Sequence, residues 1–431
     1  MARPRPQPFQ VFRVGGSVRD ELLGRPNADR DFVVVGATPE ILVASGFTPV
    51  GRDFPVFLHP ETREEYALAR TERKHGQGYR GFEFFASPEV TLEEDLRRRD
   101  LTINAMARRP DGTLVDPFGG ERDLRDRVLR HVSPSFVEDP LRVLRVARFA
   151  ARLGFEVAPE TRVLMRAIVD SGEPSTLAPE RVWQEFARGL MEAYPSRMLS
   201  VLRACGALAA LLPELDQLFG VAIPRRAHPE RDAGAHLMLT ADRTASRDLP
   251  LPTRYAALAQ NLGIGATPAM ATRTAVARAE GVSARLRVPA ECRDAARLAA
   301  RWHRALGHAV TLTSAEILSL LQSTDALRRP ERLTTFLDAA AANVCVPLTL
   351  SASWPPARLV RSALERVREV DAAAIARSIE SDRRRLRGAT DNAIARALRD
   401  ARLRALRDWK RRRSAATTPE ARPAQRRKTR S

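Results

Sequence analysis

The chain has 431 residues, enough for about two to four domains, and 44% of them are hydrophobic. Seventy-one Lys and Arg against 52 Asp and Glu leave a net charge of +19, which argues against an enzyme of small metabolites and for a polyanionic partner. Three dispersed cysteines without a CxxC exclude a thiolate zinc site and a disulfide framework, and no run approaches the ~18 apolar residues of a membrane span.

Met1 to Gln10 has Arg and Pro but no apolar core, so it is read as an N-terminal extension and not a signal peptide. The expected location is cytoplasmic. From residue 11 to about 137, strand-like and short helical pieces alternate. Strands are expected at Phe12–Val14, Phe32–Val35, Pro55–Leu58, Tyr66–Ala69, Phe82–Phe85 and Thr113–Val115. From about residue 138 the pattern turns helical, rich in Ala, Leu and Arg and punctuated by Pro. A small α/β head followed by a long α body is the economical reading, an α+β chain. Low aromatic content, 6%, argues against a base-stacking platform as the main reading device.

The first chemistry lies between Val14 and Val35. The apolar run Val11–Val14 breaks at Gly15-Gly16, and Ser17 is the expected N-cap of a helix from Val18 to Leu23. A glycine pair opening a helix lets backbone N–H groups approach a phosphate. No Gly-Lys-Ser/Thr follows, so this is not a Walker loop. The next strand begins Asp29-Arg30-Asp31, and strand alternation puts Asp29 and Asp31 on one face, roughly 7 Å apart. Two carboxylates so placed suit Mg²⁺ held together with substrate phosphates.

Further on, Lys74 to Gly81 carries three glycines and reads as a mobile loop. Glu93 to Ala105 packs charge, including Arg97-Arg98-Arg99, directly ahead of an apolar segment; phosphate neutralisation and an ordinary charged face both fit it. In Glu138 to Phe149, Arg142, Arg145 and Arg148 recur every three residues and form one cationic stripe on a helix. Asp139 sits near the start of that helix, at its positive dipole end. An Arg fork beside a carboxylate can offer donors and an acceptor to the Watson–Crick edge of a base. Lys410 to Arg413 and Arg422 to Ser431 form a basic end that is expected to be disordered.

Together these residues resemble the class II tRNA nucleotidyltransferases, the CCA-adding enzymes, in their long bacterial form. The resemblance rests on Gly15-Gly16-x-Val18-Arg19-Asp20, Asp29-x-Asp31, Arg98-Arg99-Asp100-x-Thr102-Ile103-Asn104-Ala105, Asp116-Pro117-x-Gly119-Gly120 and Glu138-Asp139-x-x-Arg142-x-x-Arg145-x-x-Arg148-Phe149. Gly51 to Pro60 looks like that bacterial branch in detail. It covers about residues 11 to 240 strongly and the remainder more thinly.

The resemblance implies a polymerase-beta-like nucleotidyltransferase head with a mixed sheet over 11–137. Beyond it come a helical neck with the base-reading motif over 138–222, a body over 223–330, a helical tail over 331–409 and a basic disordered tail over 410–431. It assigns Gly16 and Arg19 to the triphosphate, and Asp29 and Asp31 to catalysis and Mg²⁺. Arg99 would contact nucleotide, Asp139 and Arg142 would read the base, and Arg145 and Arg148 would complete the pocket. Glu65 stands where a third acidic residue would lie. The implied partners are tRNA through its acceptor arm and 3′ end, with CTP and ATP, and the implied assembly is a monomer or homodimer.

One part departs from the pattern. The long form carries an HD-type phosphohydrolase domain with metal on His and a His-Asp pair. Here His228-Pro229-Glu230 to Gly234-Ala235-His236 resembles its start, but the pair is replaced by Gln260-Asn261. Neutral amides are poor substitutes for imidazole and carboxylate in a metal site, so phosphohydrolase activity is expected to be lost. A poly(A) polymerase, an enzyme adding only CC or only A, and an RNA-binding protein with a retired head remain the competing readings.

Overall fold

The computed structural model of the chain describes residues 9–26, 30–50, 56–74, 82–224, 229–344, 352–385 and 392–417. Asp29, residues 51–55, the glycine-rich segment 75–81, His228 and residues 418–431 lie outside the described residues.

The head begins with β1 (Gln10–Val14), α1 (Gly16–Leu22), β2 (Asp31–Val35), α2 (Pro39–Ala44), β3 (Thr48–Val50), β4 (Val56–Leu58) and β5 (Glu65–Leu68). It continues through β6 (Arg70–Lys74), β7 (Phe82–Ala86), α3 (Leu92–Arg97), β8 (Ala107–Arg108), β9 (Leu114–Val115), α4 (Gly120–Asp126) and β10 (Val128–Leu129). Seven of these strands form one mixed sheet in the order β3-β4-β5-β2-β1-β8-β9. β2 and β5 run parallel, while its other pairings are antiparallel. β6 and β7 make a separate antiparallel ribbon. The six expected strands are present; β3, β6, β8 and β10 add to them in the head.

Period-two alternation builds a core on each face. Val34, Phe57 and Leu68 pack with Leu42 of α2 on one side. Phe12, Val14 and Val33 pack with Leu96 of α3 on the other. The second face carries the site, because Asp31 shares its alternation with Val33.

The neck starts with α5 (Leu141–Leu153), β11 (Glu156–Val157) and α6 (Pro159–Asp170). β11 is a strand inside the stretch read as wholly helical; it pairs in parallel with β10 and ties the neck to the end of the head. Then come α7 (Pro179–Met191), α8 (Pro195–Ala204), α9 (Ala207–Leu211) and α10 (Pro213–Asp216). Proline at the first turn of α6, α7, α8 and α10 explains why these helices start there. One apolar core runs from Val18 and Leu101 through Leu144, Phe149 and Phe186 to Leu258 and Ala300. Head, neck and the first body helices therefore share packing.

The body and tail comprise α11 (Ala233–Ser246), α12 (Leu251–Ala259), α13 (Ala271–Arg285), α14 (Ala290–Gly307), α15 (Ser314–Ser323), α16 (Pro330–Ala342), α17 (Pro355–Arg368), α18 (Ala372–Arg385) and α19 (Asn392–Thr417). A second core joins Leu306, Phe336, Val360 and Trp409. The expected basic disordered tail from 410 is corrected at its start, because α19 continues to Thr417. Leu406 and Trp409 are buried, and the Lys410 ammonium donates to the carbonyl of Leu312. No described helix is long and apolar enough to cross a membrane.

Candidate active site

The turn after β1 departs from the expected cap. Gly15, at φ 69°, is the N-cap and Gly16 the first helical residue of α1. Ser17 is instead buried, and its hydroxyl donates to the Val14 carbonyl at 3.0 Å. Glycine suits 15 because its φ is left-handed; a Cβ there would also press on the movable end of Arg99, 2.8 Å from its Nη1.

One turn on, Arg19 is buried, and its Nε and Nη2 grip both carboxylate oxygens of Asp20 at 2.9 and 3.0 Å. Nη1 donates to Asn104 Oδ1 at 2.5 Å. Burial pushes the Arg19 pKa down, and Asp20 pulls against that shift. The guanidinium lies over the Phe149 ring, 5.1 Å from its centroid.

The charged segment after α3 folds back against this turn. Arg98 and Arg99 both bond the buried Asp95, at 2.7 and 3.0 Å, and Arg98 also reaches Glu72 on β6 at 2.5 Å. Burial alone would raise the Asp95 pKa, but Arg99 and Arg98 outweigh it and hold it below the usual range. Asp100 obeys the same logic more strongly. Desolvation opposes its charge, yet Arg145 at 2.7 Å, Asn104 at 3.0 Å and the charge of Arg142 hold its carboxyl far below the ordinary carboxylate value.

α5 supplies the opposite wall. Its apolar residues enter the core, while its arginines form one cleft-lining stripe, of which Arg142 and Arg148 are nine-tenths buried. Arg142 donates to the carbonyls of Ser135 at 2.9 Å and Arg98 at 2.6 Å. Asp139, just before the helix, accepts from the Leu141 amide at 3.0 Å. Arg148 Nε donates to the buried Glu185 of α7 at 2.7 Å.

Together these elements enclose a cleft of about 430 Å³ lined by seven arginines and four carboxylates. Gly16, Arg19, Arg99, Asp139, Arg142, Arg145 and Arg148 all line it. Asp31, first residue of β2, lines it as well, and Asp29 lies outside the described residues. Glu65 opens β5 and stands opposite Asp31 in the parallel register, so both carboxylates leave the sheet from the same face.

Sequence reasoning missed Asp20, Glu185 and Arg152 as parts of this assembly. Arg152 Nη2 donates to Asp20 at 2.8 Å across 132 positions of chain. The signal for Arg152 was available, since it continues the α5 stripe at i+4 from Arg148. The pairing partners carried no local signal.

In the body, the region expected to be a lapsed metal site is a hydrogen-bonded polar cluster. His236 is fully buried; its Nδ1 meets Glu230 and its Nε2 lies 2.7 Å from Asn343 Oδ1. Asn261 donates to the same Asn343 oxygen at 2.8 Å, and Gln260 donates to the carbonyls of Ala257 and Ala339. His303 bonds the Ala299 carbonyl of its own helix.

Residues 11–130 match the poly A polymerase head domain, and residues 154–219 match the family described as "Probable RNA and SrmB- binding site of polymerase A". The multifunctional CCA protein of Azoarcus sp. (strain BH72) is 56% identical over 382 residues, covering 86% of this chain and 92% of that protein. The corresponding protein of Burkholderia pseudomallei (strain 668) is 53% identical over 411 residues, covering 91% and 99%. Among solved structures, the Bacillus stearothermophilus CCA-adding enzyme in complex with CTP shares the fold, with a TM-score of 0.64, 24% identity and coverage of 95% and 94%. A CCA-adding enzyme complexed with ATP matches with a TM-score of 0.62 at 19% identity, covering 96% and 92%. With head, neck and cleft arranged in this way, and with relatives this similar over nearly their whole length, the chain belongs to the CCA-adding tRNA nucleotidyltransferase family.

Proposed function

We propose that this chain adds C, C and A in order to the 3′ end of tRNA, using CTP and ATP and releasing pyrophosphate. The observation that carries the reading is the single cleft holding the Gly16–Arg19 turn, Asp31 and the Asp139–Arg142 pair. The base would sit at the Asp139 end. Cytosine and adenine each present an amino donor beside a ring-nitrogen acceptor on their Watson–Crick edges. Asp139 accepts from the first and Arg142 donates to the second. Guanine and uracil present the reverse order and leave a buried charge unpaired. Arg142 is already aimed by its two backbone carbonyls, so little order is lost on binding.

Arg99, Arg145 and Arg148 line the middle of the cleft for ribose and phosphate, and Gly16 with Arg19 takes the triphosphate. Asp29, Asp31 and Glu65 supply hard carboxylate oxygens of the kind that fit Mg²⁺. When bound, such ions lower the pKa of the attacking hydroxyl and neutralise charge on the leaving oxygens. The protein's own part is to hold the α-phosphate in line with the tRNA 3′-hydroxyl. The basic helical neck and body would take the acceptor arm by shape and phosphate. The reading places the activity in the cytoplasm, in keeping with the free, buried Cys205 and Cys292.

In the body, the amide cluster around Asn343 supports loss of phosphohydrolase activity. The test pairs two assays on one preparation. Nucleotide addition to tRNA should require Asp29 and Asp31, vanishing in Asp29→Ala and Asp31→Ala. Hydrolysis of 2′,3′-cyclic AMP should be absent with Mg²⁺, Mn²⁺ or Ni²⁺. Addition that survives both substitutions, or metal-dependent hydrolysis, overturns the corresponding half of the reading.

A further inference from the structure

The arginine stripe of α5 does not end at Arg148. At about 100° per residue, Arg152 projects between Arg145 and Arg148 in azimuth, and it lies about 15 Å along the axis from Arg142. That displacement carries it from the base-reading end to α1 and its glycine turn. There Asp20, itself buried, bonds Arg19 through two nitrogens and Arg152 through a third, at 2.9, 3.0 and 2.8 Å. Two guanidiniums thus share one carboxylate at the cleft wall. Arg19 is enclosed, whereas the Arg152 side chain is 34% exposed and lines the cleft. Glu192 adds a carboxylate farther out, 3.9 Å from Arg148. The Arg19–Asp20 pair lies within α1, so the Arg152–Asp20 bond alone joins neck to head here, through one nitrogen of Arg152. A guanidinium carries five N–H donors, so this partly exposed, cleft-lining side chain keeps donors for a ligand carrying several phosphate oxygens.

We propose that Arg152 is a further triphosphate-binding residue, holding the β- and γ-phosphates of the incoming nucleotide, with Asp20 as the positioning residue that aims Arg152 and Arg19 together. This rests on the nucleotidyl-transfer reading above. In the step, the tRNA 3′-oxygen forms its bond to the α-phosphorus as the bond to the bridging oxygen of the β-phosphate breaks. Arg152 donates hydrogen bonds to the departing pyrophosphate and exchanges no proton.

Inorganic tripolyphosphate is the probe, because it carries the phosphates without base or sugar. Its affinity is measured by calorimetry on the full chain, and as competitive inhibition of tRNA extension. Arg152→Ala should weaken tripolyphosphate about tenfold, the loss of one charge-assisted hydrogen bond, and raise the KM for CTP and ATP by the same factor. The order C, C, A should persist. Arg152→Lys should recover part of the loss. In a double-mutant cycle, Arg152→Ala should cost less on an Asp20→Asn background, because Arg152 is no longer aimed there. Unchanged tripolyphosphate affinity in Arg152→Ala, with its thermal transition intact, overturns the proposal, as does a CTP effect different from the ATP effect. If Arg152→Ala does not fold, Arg152→Lys decides, and wild-type tripolyphosphate affinity in it refutes the assignment. Calorimetry keeps this apart from the parent reading: failure to extend tRNA sinks that reading, while phosphate affinity tests Arg152 alone.

Discussion

Replacing Glu185 should show how α5, the helix that the proposed function assigns to base reading, is held. Arg148 and Glu185 are 10% and 6% exposed and meet at 2.7 Å, so this pair is not screened as a surface pair would be. Glu185→Ala strands a buried guanidinium, whose nearest remaining carboxylate in the same network is Glu192 at 3.9 Å. Breaking such a pair costs about 3–5 kcal/mol, a large share of the ~5–15 kcal/mol that holds a domain together. Glu185→Gln keeps an oxygen acceptor in place and loses only the charge, for about 1–2 kcal/mol. The same loosening at Arg148 should raise the nucleotide KM roughly five- to tenfold, since about 1.4 kcal/mol is a factor of ten. Urea denaturation and steady-state extension kinetics measure the two quantities on one preparation. The CTP and ATP values should move together, because the proposed function gives the base edge to Asp139 and Arg142. A Glu185→Gln protein with wild-type midpoint and wild-type KM would refute the claim that this pair positions the helix.

Other regions give independent expectations. Asn343→Ala removes the oxygen that accepts from Asn261 and meets His236 Nε2; a polar group stranded in this buried cluster costs about 1–3 kcal/mol, so the thermal midpoint should fall, and chelation by EDTA should leave the wild-type midpoint unchanged. Asp100 has a folded pKa far below its ordinary ~3.9. Its stabilising share is therefore complete above about pH 4 and is lost only as pH falls further. The stability gap between wild type and Asp100→Asn should accordingly stay constant from pH 8 to 5 and shrink in stronger acid, as urea titrations across pH would read. Burial raises the thiol pKa of Cys205, and burial with the charge of Glu291 pushes Cys292 up to about 11. Both should react with a thiol reagent at pH 8 far more slowly in the native than in the unfolded chain.

What the sequence made legible was local. Gly15-Gly16 and the three-residue arginine period each state their geometry within one turn, while of the Asp29-x-Asp31 pair only Asp31, the first residue of β2, lies among the described residues. The cleft was therefore largely readable before folding was considered. The partners were not. Asp20 meets Arg152, Arg148 meets Glu185 and His236 meets Asn343 across 132, 37 and 107 positions, and nothing in one sequence signals a pairing at such a distance. The register that sets Asp31 beside Glu65 depends on β2 and β5 running parallel, a topological fact that alternation cannot supply. β3 and β8 escaped because three- and two-residue strands have no period to detect. Ser17 is not the cap because α1 already begins at Gly16, after the left-handed Gly15, and the Ser17 hydroxyl turns back to the Val14 carbonyl.

The most direct test is extension of a tRNA lacking its 3′ CCA, followed nucleotide by nucleotide. CTP alone should add two residues and stop, ATP alone should add none, and both together should end after a single A. Long A tails from ATP alone would contradict the account and identify a poly(A) polymerase, and no extension with tRNA binding intact would leave only an RNA-binding role.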